Sequence, residues 1–211
     1  MASGNFTGLI KNPVDQKHRI SHQETIAFEW KTQLSLLLTF SILYIIMAAI
    51  GMGTQFFSMN LTELTQPEYA AGHFWFIIGR VVYALCIGLV ILYLVSYFYS
   101  LITEIPYKKV LLMQQVVLFI MICERITWIP LFVFLGLDWN VSPLSFGVIA
   151  SWFTDSTWIV NLFGAISVFQ IGIIIFQITY LKWFTTIRTW KVILTVIILH
   201  LSQYGFVVCV K

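Results

Sequence analysis

Glu124 and Arg125 stand side by side in one apolar run, Val110 to Leu135, and Arg80 stands in another, Trp75 to Ile102. A charge near the middle of a lipid-embedded helix costs at least about 2.5–3.5 kcal/mol on insertion scales, so it is expected to face a partner or water. Sequence neighbours on a helix diverge by about 100°, so Glu124 and Arg125 cannot both address one adjacent face. Counting inward from the ends of the two runs places Arg80 and Glu124 past the midplane on the same, outer side, which leaves an ion pair between them geometrically open. The chemistry of this trio is therefore either structural, with arginines reaching for headgroups and Glu124 paired or neutral, or a proton or ion path through a helical bundle.

Uncharged polar groups extend the set. Gln114 shares a helix face with Arg125 by an eleven-residue step, and Gln170 and Gln177 lie seven apart on one face of a later run, with Ser167 nearby. Interhelical hydrogen bonds are the expected use, at roughly 0.6–2 kcal/mol each. Arg80, Gln114, Glu124, Arg125, Gln170 and Gln177 thus form a candidate intramembrane polar network. His200 stands alone in the last run and is expected to be satisfied by a neighbour. His18 and His22, four apart, have no third ligand beside them and read as a solvated face. No His-Glu-x-x-His, Gly-x-Ser-x-Gly, phosphate-cradling glycine loop or Cys-x-x-Cys occurs. Cys86, Cys123 and Cys209 all fall in apolar runs as small packed hydrophobes. The sequence therefore reads as a non-enzyme, with no cofactor and no metal site.

The elements that must position these groups follow from composition. Of 211 residues, 59 % are hydrophobic and 10 % charged, with a mean hydropathy of +0.89; soluble domains are about 45–50 % apolar and about 25 % charged. A soluble globule is excluded, and a net charge of +3 spread in small clusters leaves no footprint for nucleic acid. Roughly 20 apolar residues cross a bilayer as helix. Five runs qualify: Leu34 to Gly53, Trp75 to Ile102, Val110 to Leu135, Trp158 to Tyr180 and Val192 to Val210. None alternates with period two, so a β-barrel is a poor reading. The expected fold is all-α, a polytopic membrane bundle of five transmembrane helices.

Orientation follows the basic residues, which favour the cytoplasmic side. Lys11, Lys17, Arg19 and Lys31 precede the first run; Lys108 and Lys109 follow the second; Lys182, Arg188 and Lys191 follow the fourth. The other two loops carry none. The N-terminus is thus expected in the cytoplasm and the C-terminus outside, against Lys211 alone. Residues 1–20 read as a polar cytoplasmic segment, poorly ordered, ahead of a membrane domain over 21–211. Ser21 and Glu24 have capping-box spacing, and Trp30 with Lys31 suits a headgroup anchor, so an interfacial helix is expected over 21–31. Ser142-Pro143 begins a second short amphipathic helix near 143–153 in the third loop. Ala84 and Gly88 make a small-residue step for close helix approach, and Gly164 and Gly172 are further candidates.

Five such spans, Glu29-Trp30-Lys31 before the first, and the short basic loop Ile105-Pro106-Tyr107-Lys108-Lys109 together resemble the bacterial branch of the Yip-domain membrane proteins, from about Glu29 to Tyr180. The paired glycines often found in that loop are absent. The resemblance implies an integral membrane scaffold without catalytic residues, a partner of other membrane machinery such as ABC-type exporters. The first functional expectation is accordingly a non-catalytic scaffold or accessory protein of a bacterial plasma membrane, solvated by the lipid bilayer and assembled with a membrane-protein partner or with itself. The alternative is a small transporter or channel built on Arg80, Glu124 and Arg125.

Overall fold

The computed structural model describes residues 6–12, 17–20, 30–54, 65–135, 144–154, 156–164 and 166–210. Among them every regular element is helical. In chain order these are α1 (Phe6–Lys11), α2 (Trp30–Ala49), α3 (Gln66–Leu89), a π-helical turn (Val90–Val95), α4 (Ser96–Thr103), α5 (Tyr107–Leu135), α6 (Phe146–Ala150), α7 (Thr157–Gly164), α8 (Val168–Phe184) and α9 (Thr189–Val210). Three are long and apolar enough to cross a membrane: α2, the continuous run 66–103, and α5; α8 and the Thr189–Ser202 stretch of α9 are apolar but shorter.

Local chemistry explains the ends. α2 is terminated by Gly51, whose φ of 87° is left-handed and suits a residue without Cβ. The Met52 amide reaches back to Met47 O at 3.0 Å and the Gly51 amide to Ala48 O at 3.1 Å, a Schellman close that also buries Met52 beside Met47. α3 begins nine residues ahead of the expected Trp75. There the Thr65 amide and hydroxyl both donate to Glu68 Oε2, at 2.9 and 2.7 Å, and Pro67 occupies the first turn. Along the run 66–103, roughly 57 Å at 1.5 Å per residue, the outer turns extend beyond one crossing. The run ends at Glu104, in the left-handed region at φ 59°, just before Pro106.

The fourth expected span is corrected. The stretch from Trp158 to Tyr180 is not one helix: α7 ends at Gly164, and Ser167, extended at φ −102° and ψ 165°, starts α8 by accepting the Gln170 amide at 3.2 Å. The chain here is pinned across to the preceding loop, with Phe146 N donating to Ile166 O at 3.0 Å and Val168 N to Leu144 O at 3.2 Å. Backbone bonds spent on that neck cannot also continue a helix. The hairpin above it is tight: a Cβ on Gly147 would stand 2.6 Å from Gly164 Cα. Gly164 thus serves the hairpin, while Gly172 borders open space.

α5 is the central helix. On one side Leu36, Leu37, Phe40, Tyr44 and Met47 of α2 pack with Ala84 of α3 and with Leu111, Leu118 and Ile122 of α5. On the other, Val110, Met113 and Val116 meet Tyr99, Tyr180, Leu181, Val192 and Val196. Leu34, Leu38, Ile42 and Ile46 form an exposed apolar line along α2, as a lipid-solvated helix should have. The first twenty residues are not wholly polar coil as expected. α1 and the helical residues 17–20 seat Leu9 and Ile20 in the second cluster, and Lys17 lies over the Trp183 ring at 5.8 Å. Residues 21–29 of the expected interfacial helix lie outside the described residues; Trp30 and Lys31 open α2. The third-loop helix is shorter than expected, Phe146–Ala150, with Ser142 and Pro143 outside the described residues.

Candidate functional site: an intramembrane polar network

α5 and α8 run antiparallel and are tied at two levels. Near one end, the Tyr180 hydroxyl donates to Lys109 O at 2.9 Å. Fifteen residues along α5 and thirteen back along α8, or about 20 Å at 1.5 Å per residue, the Ser167 hydroxyl donates to Glu124 Oε1 at 2.6 Å. That short distance is typical of a hydroxyl on a carboxylate. Ser167 is 1 % exposed and Glu124 3 %. Ser167 therefore does two jobs, capping α8 and bonding the buried acid of α5, and a relay runs from the Gln170 amide through Ser167 to Glu124.

The pair that sequence left open, Arg80 with Glu124, is not what forms. Arg80 Nη2 lies 3.4 Å from Met52 O, and its guanidinium sits 5.3 Å from the Tyr44 ring centre and 5.5 Å from that of Phe76. These cation–π contacts hold it between α2 and α3, beside the turn that ends α2. Arg125 turns away from its neighbour and lays its guanidinium over Trp128 at 3.9 Å. The divergence anticipated for adjacent helical residues is thus realised, with an aromatic ring in place of a counter-ion.

The glutamines separate. Gln177 joins a second cluster near the basic end: its Oε1 accepts from the Tyr99 hydroxyl at 3.3 Å and lies 2.8 Å from His200 Nε2, which assigns the ring proton to Nε2. Three helices, α4, α8 and α9, meet there. Gln114 is fully buried in α5 and neither of its amide atoms has a hydrogen-bond partner. Gln170 contributes its backbone amide to Ser167.

No family model, curated protein or solved structure matches this chain.

The site must therefore be read from its own atoms. Ser145 and Ser167 face each other across the antiparallel neck. The flanking amide bonds, Phe146 to Ile166 and Val168 to Leu144, make this the non-hydrogen-bonded kind of pair, whose side chains are close and share a face. Ser145 Oγ and Glu124 Oε2 are both buried and neither has a hydrogen-bond partner. Among the described residues no three His, Cys, Asp or Glu gather as a metal group. Sequence reasoning missed Ser145, Tyr99 and the pair of Tyr93 with Gln33, whose hydroxyl and Oε1 meet at 2.8 Å. One signal was present: Ser167-x-x-Gln170 has the spacing of a helix start.

Proposed function

We propose that this protein is a non-catalytic scaffold or accessory component of a bacterial plasma membrane, of the kind its likeness to Yip-domain proteins implies, acting with other membrane machinery such as an ABC-type exporter or with further copies of itself. The supporting observation is how the polar side chains between the helices are used. Gln177 joins Tyr99 to His200, Tyr93 joins Gln33, and Tyr180 holds the Lys109 carbonyl. Each bond braces one helix against another, as a body built to keep its shape requires. In this reading the chain crosses five times, α7 and α8 together making the fourth passage and α9 the fifth, with the N-terminus in the cytoplasm. Thr185 Oγ1 donates to Thr103 O at 3.2 Å, so the two basic loops share one end with Leu9, Ile20 and Lys17. Crosslinking in native membranes, followed by reciprocal purification in mild detergent, is expected to recover one membrane protein at fixed stoichiometry or a homo-oligomer. A monomer with no stoichiometric companion would sink the scaffold reading.

One observation favours transport as a second reading: a helix break beside a buried acid, which in the five-span reading lies within the bilayer. Broken helices recur where transporters hold their cargo. In proteoliposomes, Glu124→Gln should then abolish solute or ion flux while leaving the fold intact. Wild-type vesicles that stay tight to ions and small solutes would remove this alternative.

A further inference from the structure

We propose that Glu124, Ser145 and Ser167 form a binding site for a single alkali-metal cation at the break between α7 and α8. Glu124 is 3 % exposed, Ser145 6 % and Ser167 1 %, so all three side chains are withdrawn from solvent. A carboxylate in such a place must be neutralised or paired. Neither arginine forms an ion pair with it: Arg125 lies over Trp128, its own Nε without a hydrogen-bond partner, and Arg80 lies at the Met52 carbonyl and the rings of Tyr44 and Phe76. Ser167 supplies one hydrogen bond, to Oε1, which leaves Oε2 and Ser145 Oγ as buried oxygens with no hydrogen-bond partner.

The donor set selects the ligand. The lone proton of Ser167 goes to Glu124 and its Oγ also accepts the Gln170 amide, so a proton added at Oε2 would be a donor with no acceptor in hydrogen-bond reach. A cation needs only lone pairs, and both orphaned oxygens offer them. One carboxylate balances one positive charge; calcium or magnesium would call for several charged ligands or retained waters. The neck holds Ser145 and Ser167 on one face of the bridge, so the Ser145 side chain lies on the side where Ser167 meets Glu124. Non-helical backbone at this depth is tolerated where it is covered by protein or lines a cavity, and discontinuous helices commonly hold sodium or protons in that way. The site stands apart from the choice between scaffold and transporter, because a bound ion can brace the break or be carried through it.

The test uses the full-length protein in nanodiscs. Saturable binding of radioactive sodium, competed by sodium or potassium chloride but not by N-methylglucamine chloride, is expected, together with a thermal midpoint that rises with alkali-cation concentration at constant ionic strength. Glu124→Gln keeps an acceptor for Ser167 and should lose saturable binding. Ser145→Ala leaves the Glu124–Ser167 bond in place and should weaken binding about tenfold, the equivalent of one ligand oxygen. Wild-type protein without saturable sodium or potassium binding overturns the proposal. So does a midpoint that responds to pH identically in sodium and N-methylglucamine, which would mark a proton-only site, or undiminished binding in Glu124→Gln. Flux is not among the readouts, so failure here and failure of the transport reading remain distinct.

Discussion

The Ser167 hydroxyl lies 2.6 Å from Glu124 Oε1 although 43 residues separate them in the chain. This bond joins the end of a helix to a buried acid on another. Its geometry depends on α8 starting where it does, and α8 starts there because Ser167 takes the Gln170 amide and the flanking backbone pairs with the Leu144 to Phe146 segment of the neck. Removing either half of the arrangement should be felt by the other.

Ser167→Ala should therefore cost more than an ordinary cap. Loss of the cap accounts for about 1 kcal/mol, and a buried carboxylate oxygen deprived of its donor adds about 1–3 kcal/mol. Ser167→Thr, which keeps the hydroxyl, should stay near wild type. Unfolding in mild detergent measures the difference, and equal stability of the Ala and Thr variants would show that the bond contributes nothing.

What was legible beforehand divides along physical lines. Apolar run length and the clustering of lysines are local quantities, so the positions of α2, α5 and the long helix 66–103 were approximately readable from Leu34, Val110 and Trp75 onward. The close step at Ala84 and Gly88 was readable for the same reason. The break at Ser167 was hidden because hydrophobicity continues across it from Trp158 to Tyr180, and its cause lies in partners at residues 124 and 144 to 146. The early start at Gln66 was marked by Thr65, Pro67 and Glu68, but a polar turn preceding an apolar run looks like loop when length alone is counted. Arg80 went to carbonyl and rings in place of Glu124 because pairing by depth ignores which face each helix turns to its neighbour.

Gly88 sets how closely α3 approaches α2. A Cβ there would stand 2.5 Å from Leu37 Cδ2, the movable end of a side chain. Gly88→Ala should therefore be mild, its strain offset by a gain of up to about 1 kcal/mol in helix propensity. Gly88→Ile, which cannot be absorbed by one rotamer change, should cost about 1–3 kcal/mol or more, and Leu37→Ala should recover part of that loss. Equal melting of the wild type and Gly88→Ile would mean the helices are not in close contact here.

The contact of Gln177 with His200 should be visible as a coupling energy. Interhelical hydrogen bonds in membranes average about 0.6 kcal/mol and reach about 1.7 kcal/mol. A double-mutant cycle with Gln177→Leu and His200→Leu is expected in that range. Gln177→Leu alone should exceed His200→Leu, because it also strips the Tyr99 hydroxyl of its acceptor. A coupling indistinguishable from zero would place His200 outside the network.

Leu9 and Ile20 test whether the N-terminal segment belongs to the folded body. Both are buried in the cluster with Ile105, Tyr180 and Val192. Ile20→Ala should cost about 2 kcal/mol or more, and Leu9→Asp should release the segment to proteolysis. Unchanged melting and unchanged cleavage rates would show that α1 is only loosely laid against the bundle.

The proposed sidedness draws on several contacts pointing the same way. Thr185 reaches the Thr103 carbonyl, Tyr180 reaches Lys109, and Lys17 covers Trp183, so the N-terminal segment and both basic loops occupy one end. Lys109 and Lys191 add cations beside Phe184 and Trp190 at that same end. Basic residues favour the cytoplasmic face, and the hairpin of α6 and α7, carrying the exposed Trp152 and Phe153, leaves α5 from its other end. In a background with Cys86, Cys123 and Cys209 replaced, Ser156→Cys should react with an impermeant maleimide on intact cells. Arg188→Cys and Asn12→Cys should react only after permeabilisation. Labelling of Arg188→Cys on intact cells, or of all three positions from both sides, would reverse or dissolve the assignment, because no rearrangement of the hairpin alone can carry loop and N-terminus across the bilayer together.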